Sequence, residues 1–186
     1  DVARVTTRIS IDDGCLAGWL PQETIVFNGA RLVRTLEIDM KSTSRLVALE
    51  SIVFGRRAMG ETVDYGMVSD RWRIRIDGRL EFSDNFLLDD QLTGRIGEYL
   101  NRTSVANTAH CVATLIIVAT DCDEIVEYAR QLASPAGAAV GATRLDRLAV
   151  LRILAGDSQA MRKTMGQIIT VLGSTLDIEL PRVWHC

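Results

Sequence analysis

Only two histidines, His110 and His185, occur in the 186 residues. A hydrolytic triad or a Cys-His pair needs an imidazole beside its nucleophile. His110 opens an apolar run next to Cys111, but neighbours on a strand point to opposite faces, so the two do not grip one ion or one reacting atom. A Ser-His-Asp or Cys-His hydrolase is therefore disfavoured. The other histidine forms a terminal pair, His185 with Cys186, which reads as an incidental tail rather than a metal grip. The four cysteines (Cys15, Cys111, Cys122 and Cys186) show no C-x-x-C spacing and are too few for a disulfide framework, which points to a reducing compartment. No G-x-x-x-x-G-K-[ST] occurs, so a Walker-type phosphate loop is absent. "GRRAMG", from Gly55 to Gly60, lacks the strand-to-helix context of a dinucleotide loop and reads as a turn with a solvated basic corner. No run approaches the roughly 18 uninterrupted apolar residues of a membrane span, and no basic segment precedes an apolar one near the start. These absences predict a cytoplasmic chain with no membrane partner. A formal net charge of −3 argues against nucleic acid as a partner, leaving room only for a local basic patch.

Strand patterns dominate what is present. Val5, Thr7, Ile9 and Ile11 alternate with polar residues, and Leu32, Leu36, Ile38 and Met40 fall on one side of a second alternating run. Leu46 to Phe54 is apolar on both faces apart from Glu50, which predicts a strand covered on both sides. In "DRWRIRIDGRLEF", Trp72, Ile74 and Ile76 alternate with Arg71, Arg73 and Arg75, and Asp77-Gly78 turns the chain. A three-residue loop or a bulge would pair Ile76 with Leu80 and Ile74 with Phe82, and the longer loop is expected. Beyond residue 105 a buried strand run, "HCVATLIIVATD", precedes a helix whose stripe is Ile125, Val126, Ala129, Leu132 and Ala133, with Asp121 and Glu124 as a capping-box-like start. A small-residue loop is expected around Pro135, then a strand in "LDRLAVLRILAGD", where helix stays open. A final helix is capped by Asp157 or Ser158 and carries Met161, Met165, Ile168, Ile169 and Leu172 at helical spacing. The order predicts one domain over residues 1–186 of α+β class, mainly β, with a strand-rich part to residue 105 and strand, helix, strand, helix over 106–186.

The acids are the informative polar residues. Glu50 interrupts an apolar run, where an ionised carboxylate is costly unless paired or wetted. It is read as a buried ion pair, with Arg56, Arg57 or Arg71 as partner, as a side chain that simply faces water, or as a carboxylate lining a hydrated passage or interface. Glu23 and Glu61, each beside turn residues, carry the same readings.

"WLPQETIVFNGARL" resembles the hallmark segment of the urease accessory proteins called UreD or UreH. "LVALESIVFGRRAMGE" is similar to the same family's A-x-E-x-x-x-x-G-R-x-x-x-G-E block, and "DRWRIRIDGRLEFSDNFLLD" and the "LPRVWHC" ending also resemble it. The resemblance runs in order over essentially the whole chain. It implies a β-helical scaffold of short strands with two helices in the C-terminal half. It further implies a non-enzymatic metallochaperone that acts with UreF and UreG on the urease apoprotein. Nickel would be in transit and no cofactor would be tightly bound. By position, Glu23, Glu50, Arg56, Gly60 and Glu61 match family motif residues. Glu23, Glu50, Glu61 and Arg56 are thus candidate conduit or interface residues. Oxygen-rich, weakly coordinating walls suit a carrier, because a tight Cys/His cage would trap the ion. The family's usual N-terminal portion is expected before this point, so the resemblance implies an N-terminally truncated member. The alternative is a truncated, non-functional paralogue that binds UreF without delivering metal, with the helix over 157–172 as its docking element.

Overall fold

The structure is a computed structural model and describes residues 1–56, 59–132, 137–176, 178 and 181. In chain order the strands are β1 (Ala3–Ile11), β2 (Leu16–Trp19), β3 (Thr24–Val26), β4 (Arg31–Met40), β5 (Arg45–Phe54), β6 (Met67–Ile76), β7 (Arg79–Asp89), β8 (Cys111–Val118), β9 (Ala138–Leu145) and β10 (Leu148–Ala155). The helices are α1 (Asp90–Thr93), α2 (Ile96–Leu100), α3 (Asp123–Gln131) and α4 (Ser158–Leu176). The protein is α+β and mainly β. Strands of two open sheets alternate along the chain, from β1 to β2 and β3, then β4, β5 and β6. The chain divides into two compact units whose segments interleave along the strand-rich part.

The first unit comprises residues 1–16, 26–44 and 54–107 and holds the sheet β1-β4-β6-β7. β1 and β6 run parallel to β4, and β7 returns antiparallel to β6. The period-two pattern sets the faces. Leu36, Ile38 and Met40 stand opposite Trp72, Ile74 and Ile76, and all six are buried. The longer loop expected at Asp77-Gly78 is overturned: the turn is a bare two-residue loop with φ values of 48° and 79°, the twist that suits a hairpin. The extra residue is absorbed further along, as a bulge between Ile74 and Arg75. Ile74 therefore pairs with Phe82 as expected, but Ile76 pairs with Arg79 and not with Leu80, which is left exposed. The two short helices α1 and α2, of four and five residues, were not foreseen because neither is long enough to show a helical period.

The second unit holds β2-β5-β8-β10-β9, with β3 also paired to β5, and the helices α3 and α4. β8 is buried along its whole length, as its unbroken apolar run requires, and β5 nearly so. One face of this sheet, with Val47, Leu49, Leu115, Ile117, Leu151 and Ile153, packs with Ile125 and Val126 of α3 and with Met161, Met165, Ile168, Ile169 and Leu172 of α4. Burying each such aliphatic side chain contributes about 1.5–3 kcal/mol. The Asp157 carboxylate accepts the Ala160 N–H at 2.7 Å and starts α4. α3 begins one residue later than the capping-box spacing implied: Cys122 is its N-cap, and Asp121 accepts the Asp123 N–H from just outside.

The open helix-or-strand choice at Leu148–Ala155 resolves as strand, in register with β8 and β9 on either side. The small-residue loop expected around Pro135 is overturned for Ala138–Leu145, which form β9. Their small side chains hid a true alternation, in which Val140 and Ala142 pack on the core while Ala139, Gly141 and Thr143 are exposed. Ala133 and Pro135 lie outside the described residues.

Candidate functional site

The structure places the sequence-predicted residues in three settings. The first is the row around Glu50. On β5, between the buried Leu49 and Ser51, Glu50 is only 5% exposed. Its Oε1 accepts the Trp19 indole N–H at 2.9 Å. Register puts Thr114 of β8 opposite Glu50, and Arg152 of β10 opposite Thr114. Arg152 Nη1 donates to Thr114 Oγ1 at 2.6 Å. A polar row thus crosses three neighbouring strands of an otherwise apolar sheet. Of the arginines considered for Glu50 from sequence, Arg56 pairs with Glu61, Arg71 donates to Ser69 Oγ and Arg57 lies outside the described residues. The arginine in register is Arg152, whose strand was still ambiguous in the sequence.

Glu23 supplies the second setting. Its carboxylate accepts both faces of the Arg162 fork, with Nη2 at 2.8 and 2.9 Å and Nε at 3.1 and 3.2 Å. This two-point geometry fixes orientation as well as charge. The pair is 139 residues apart in sequence and ties the segment before β3 to the second turn of α4. The glutamate side chain is 9% exposed and the arginine 32%. Within "WLPQETIV", Trp19 and Glu23 therefore each hold a distant polar partner of the same unit.

The third setting is the loop after β5 in the first unit. Glu61 accepts from Arg56 Nε at 3.0 Å, from the Arg56 backbone N–H at 3.3 Å and from the Asn28 backbone N–H at 3.4 Å. The Arg56 side-chain hydrogen bond holds the Glu61 carboxyl below the usual carboxylate range, against the smaller opposing effect of burial. The Arg56 guanidinium also lies 4.7 Å from the centre of the Phe27 ring. Gly55 and Gly60 bracket the loop. Gly55 has φ 75°, and a β-carbon there would stand 2.7 Å from the Glu61 carbonyl oxygen, so this turn closes only on glycine. Asn28 Oδ1 accepts the Asp64 and Tyr65 N–H groups, and Asp90 accepts the Gly66 N–H, which lowers the Asp90 carboxyl.

Arg56 and Glu61 are thus brought together, whereas Glu23 and Glu50 keep separate partners. Among the described residues no group of three or more His, Cys, Asp or Glu side chains is arranged to hold a metal ion. Each candidate carboxylate is engaged by an N–H donor. His110 precedes β8, and its backbone N–H donates to Ala155, while His185 and Cys186 lie outside the described residues.

One ionic feature escaped the sequence reading. Arg34 on β4 and Asp70 on β6 stand opposite each other in register and pair through two bonds of 2.9 Å. Their side chains are 7% and 6% exposed. The Trp72 indole N–H donates to the same Asp70 at 3.3 Å. The signal was in the alternation itself, because Arg34 falls on the side of Leu32, Leu36 and Ile38.

No described helix is long and apolar enough to cross a membrane. A sequence model of the UreD urease accessory protein family matches residues 1–185. The chain is 41% identical over 180 residues to the urease accessory protein UreD of Rhodopseudomonas palustris strain BisB5, covering 97% of this chain and 60% of the relative. It is 38% identical over 191 aligned residues to urease accessory protein UreD 1 of Brucella anthropi, covering 98% and 64%. It is 36% identical over 189 residues to UreD of Methylobacterium sp. strain 4-46, covering 99% and 64%. The chain therefore spans less than two thirds of the length of these relatives. With its motif blocks placed in sequence order on this fold, the chain belongs to the UreD urease accessory protein family.

Proposed function

We propose that this chain is a non-enzymatic, cytoplasmic scaffold for urease maturation that helps nickel enter the urease apoprotein, in a hetero-oligomeric complex with UreF and UreG. The observation that carries the proposal is the family match over residues 1–185. The chemistry of the candidate residues supports it. Glu23, Glu50 and Glu61 offer oxygen donors, and each is held by a tryptophan or arginine N–H rather than gathered with others of the described residues into a chelating cluster. A divalent cation meeting one such carboxylate at a time is held weakly enough to leave again. Nickel is cargo in this scheme and not a resident cofactor. Arg56 serves by keeping Glu61 ionised and oriented.

The test is substitution of Glu50→Ala and Glu23→Ala, followed by measuring nickel per urease active site in cells supplied with UreF and UreG. The expected result is lower nickel loading with the scaffold still soluble and bound to UreF. Unchanged loading in both variants removes these carboxylates from the route.

A further inference from the structure

The alternating arginines of β6 play no part in that scheme, and their placement points elsewhere. Arg71, Arg73 and Arg75 project from the face of β6 opposite to Trp72, Ile74 and Ile76. Register continues their rows across the sheet. Arg73 lines up with Glu37 of β4, which lines up with Arg8 of β1, and on the other side with Ser83 of β7. Arg71 lines up with Thr35 and Thr6, and with Asn85. Arg75 lines up with Asp39, and Arg4 stands two residues before Thr6 on the same face.

This face therefore carries six guanidinium groups, from Arg4, Arg8, Arg31, Arg71, Arg73 and Arg75, against four carboxylates, Glu37, Asp39, Glu81 and Asp89. It is positive on a chain whose formal charge is −3. Arg4, Arg8, Arg71 and Arg73 are exposed. Arg8 pairs with Glu37, and Arg75 lies 4.0 Å from Asp39. Arg4 and Arg73 have no ion-pair partner among the described residues. All the cations are arginine, whose planar fork takes a carboxylate by two hydrogen bonds and is enriched at protein interfaces.

We infer that this outer face of the first unit's sheet is a docking surface for an acidic partner protein, one presenting carboxylates at strand-like spacing. Alternate residues on a strand stand roughly 7 Å apart and neighbouring strands about 5 Å, so the surface offers a two-dimensional array of forks. An acidic strand with carboxylates at every second residue matches the line of Arg71, Arg73 and Arg75 along β6. A long polyanion fits less well, because beyond the patch it meets a chain of net negative charge.

The test measures fluorescence anisotropy of two labelled probes against the purified 186-residue chain. One is a peptide with glutamate at alternate positions and the other a short DNA duplex, each at low and physiological salt. The R71E/R73E double variant is expected to weaken peptide binding at least about tenfold at low salt, and added salt to weaken binding to the unaltered chain. R71K/R73K, which keeps the charge, is expected to lose only about threefold. Peptide binding that is absent, or indifferent to R71E/R73E, overturns the inference. Tighter binding of the duplex than of the peptide assigns the face to nucleic acid and overturns it as well. The readout involves no nickel, so its failure leaves the nickel proposal standing, and failure of that proposal leaves this result standing.

Discussion

Replacing Asp70 by alanine takes a two-point carboxylate away from a buried guanidinium of the first sheet. Arg34 is 7% exposed at its side chain, and its two 2.9 Å bonds both end on Asp70. Removing one partner of a buried pair costs about 3–5 kcal/mol, because the charge left behind keeps its desolvation penalty while losing that carboxylate's attraction. The Trp72 N–H loses its acceptor on Asp70 in the same substitution, adding about 1 kcal/mol. For a chain of 186 residues each kcal/mol is worth roughly 2–4 °C, so the pair alone predicts a fall in Tm of roughly 6–20 °C. Urea unfolding followed by circular dichroism is the assay. Asp70→Asn restores an acceptor for Trp72 but not the charge, so it should recover only the smaller part. The double variant R34M/D70L removes both charges and should lie within about 2 kcal/mol of the parent, or above it. A loss below about 1 kcal/mol in Asp70→Ala, or a double variant as unstable as the sum of the two single ones, would refute the reasoning.

Trp19→Phe removes one donor to the buried Glu50 and should cost about 1–3 kcal/mol in urea unfolding, whereas a neutral result means that the indole is dispensable to that carboxylate. The depressed Glu61 carboxyl gives the loop a contribution that is present above the unfolded-state value and lost as pH falls through the lower folded one. Arg56→Ala should raise the Glu61 midpoint toward the ordinary carboxylate range in a carbon-13 NMR titration, and an unmoved midpoint contradicts the assignment. Burial raises the Cys122 thiol above its usual range. Iodoacetamide near neutral pH should therefore label the exposed Cys15 well before Cys122 in the native protein, and equal rates by mass spectrometry count against the packing described.

The strands that were legible in the sequence were those with one consistent signal. β8 and β5 announced themselves as unbroken apolar runs, and β4 and β6 by alternation, since burial on one face leaves a period of two. α4 was legible because a 19-residue helix repeats its stripe several times. β9 was not, since alanine and glycine carry little hydrophobic contrast. The Asp77-Gly78 hairpin showed how turn chemistry and side-chain pairing compete: the dipeptide kept its tight loop, and a bulge satisfied the Ile74 pairing instead. For the candidate site, sequence identified Glu50 as a buried acid but not Trp19 or Arg152 beside it, because register between strands distant in sequence is invisible to local pattern. The same limit hid the Arg162 fork on Glu23. Arg34 was visible as a charge on an apolar face, yet its meaning depended on the parallel register that sets Asp70 opposite.

Nickel content and activity of urease, in cells where this chain is the sole UreD-like protein and UreF and UreG are supplied, test the central claim most directly. The account predicts nickel-loaded, active urease above the level of cells lacking the chain. Urease that stays nickel-free while the chain is soluble and bound to UreF would contradict it, and would mark the chain as a docking protein that does not deliver metal.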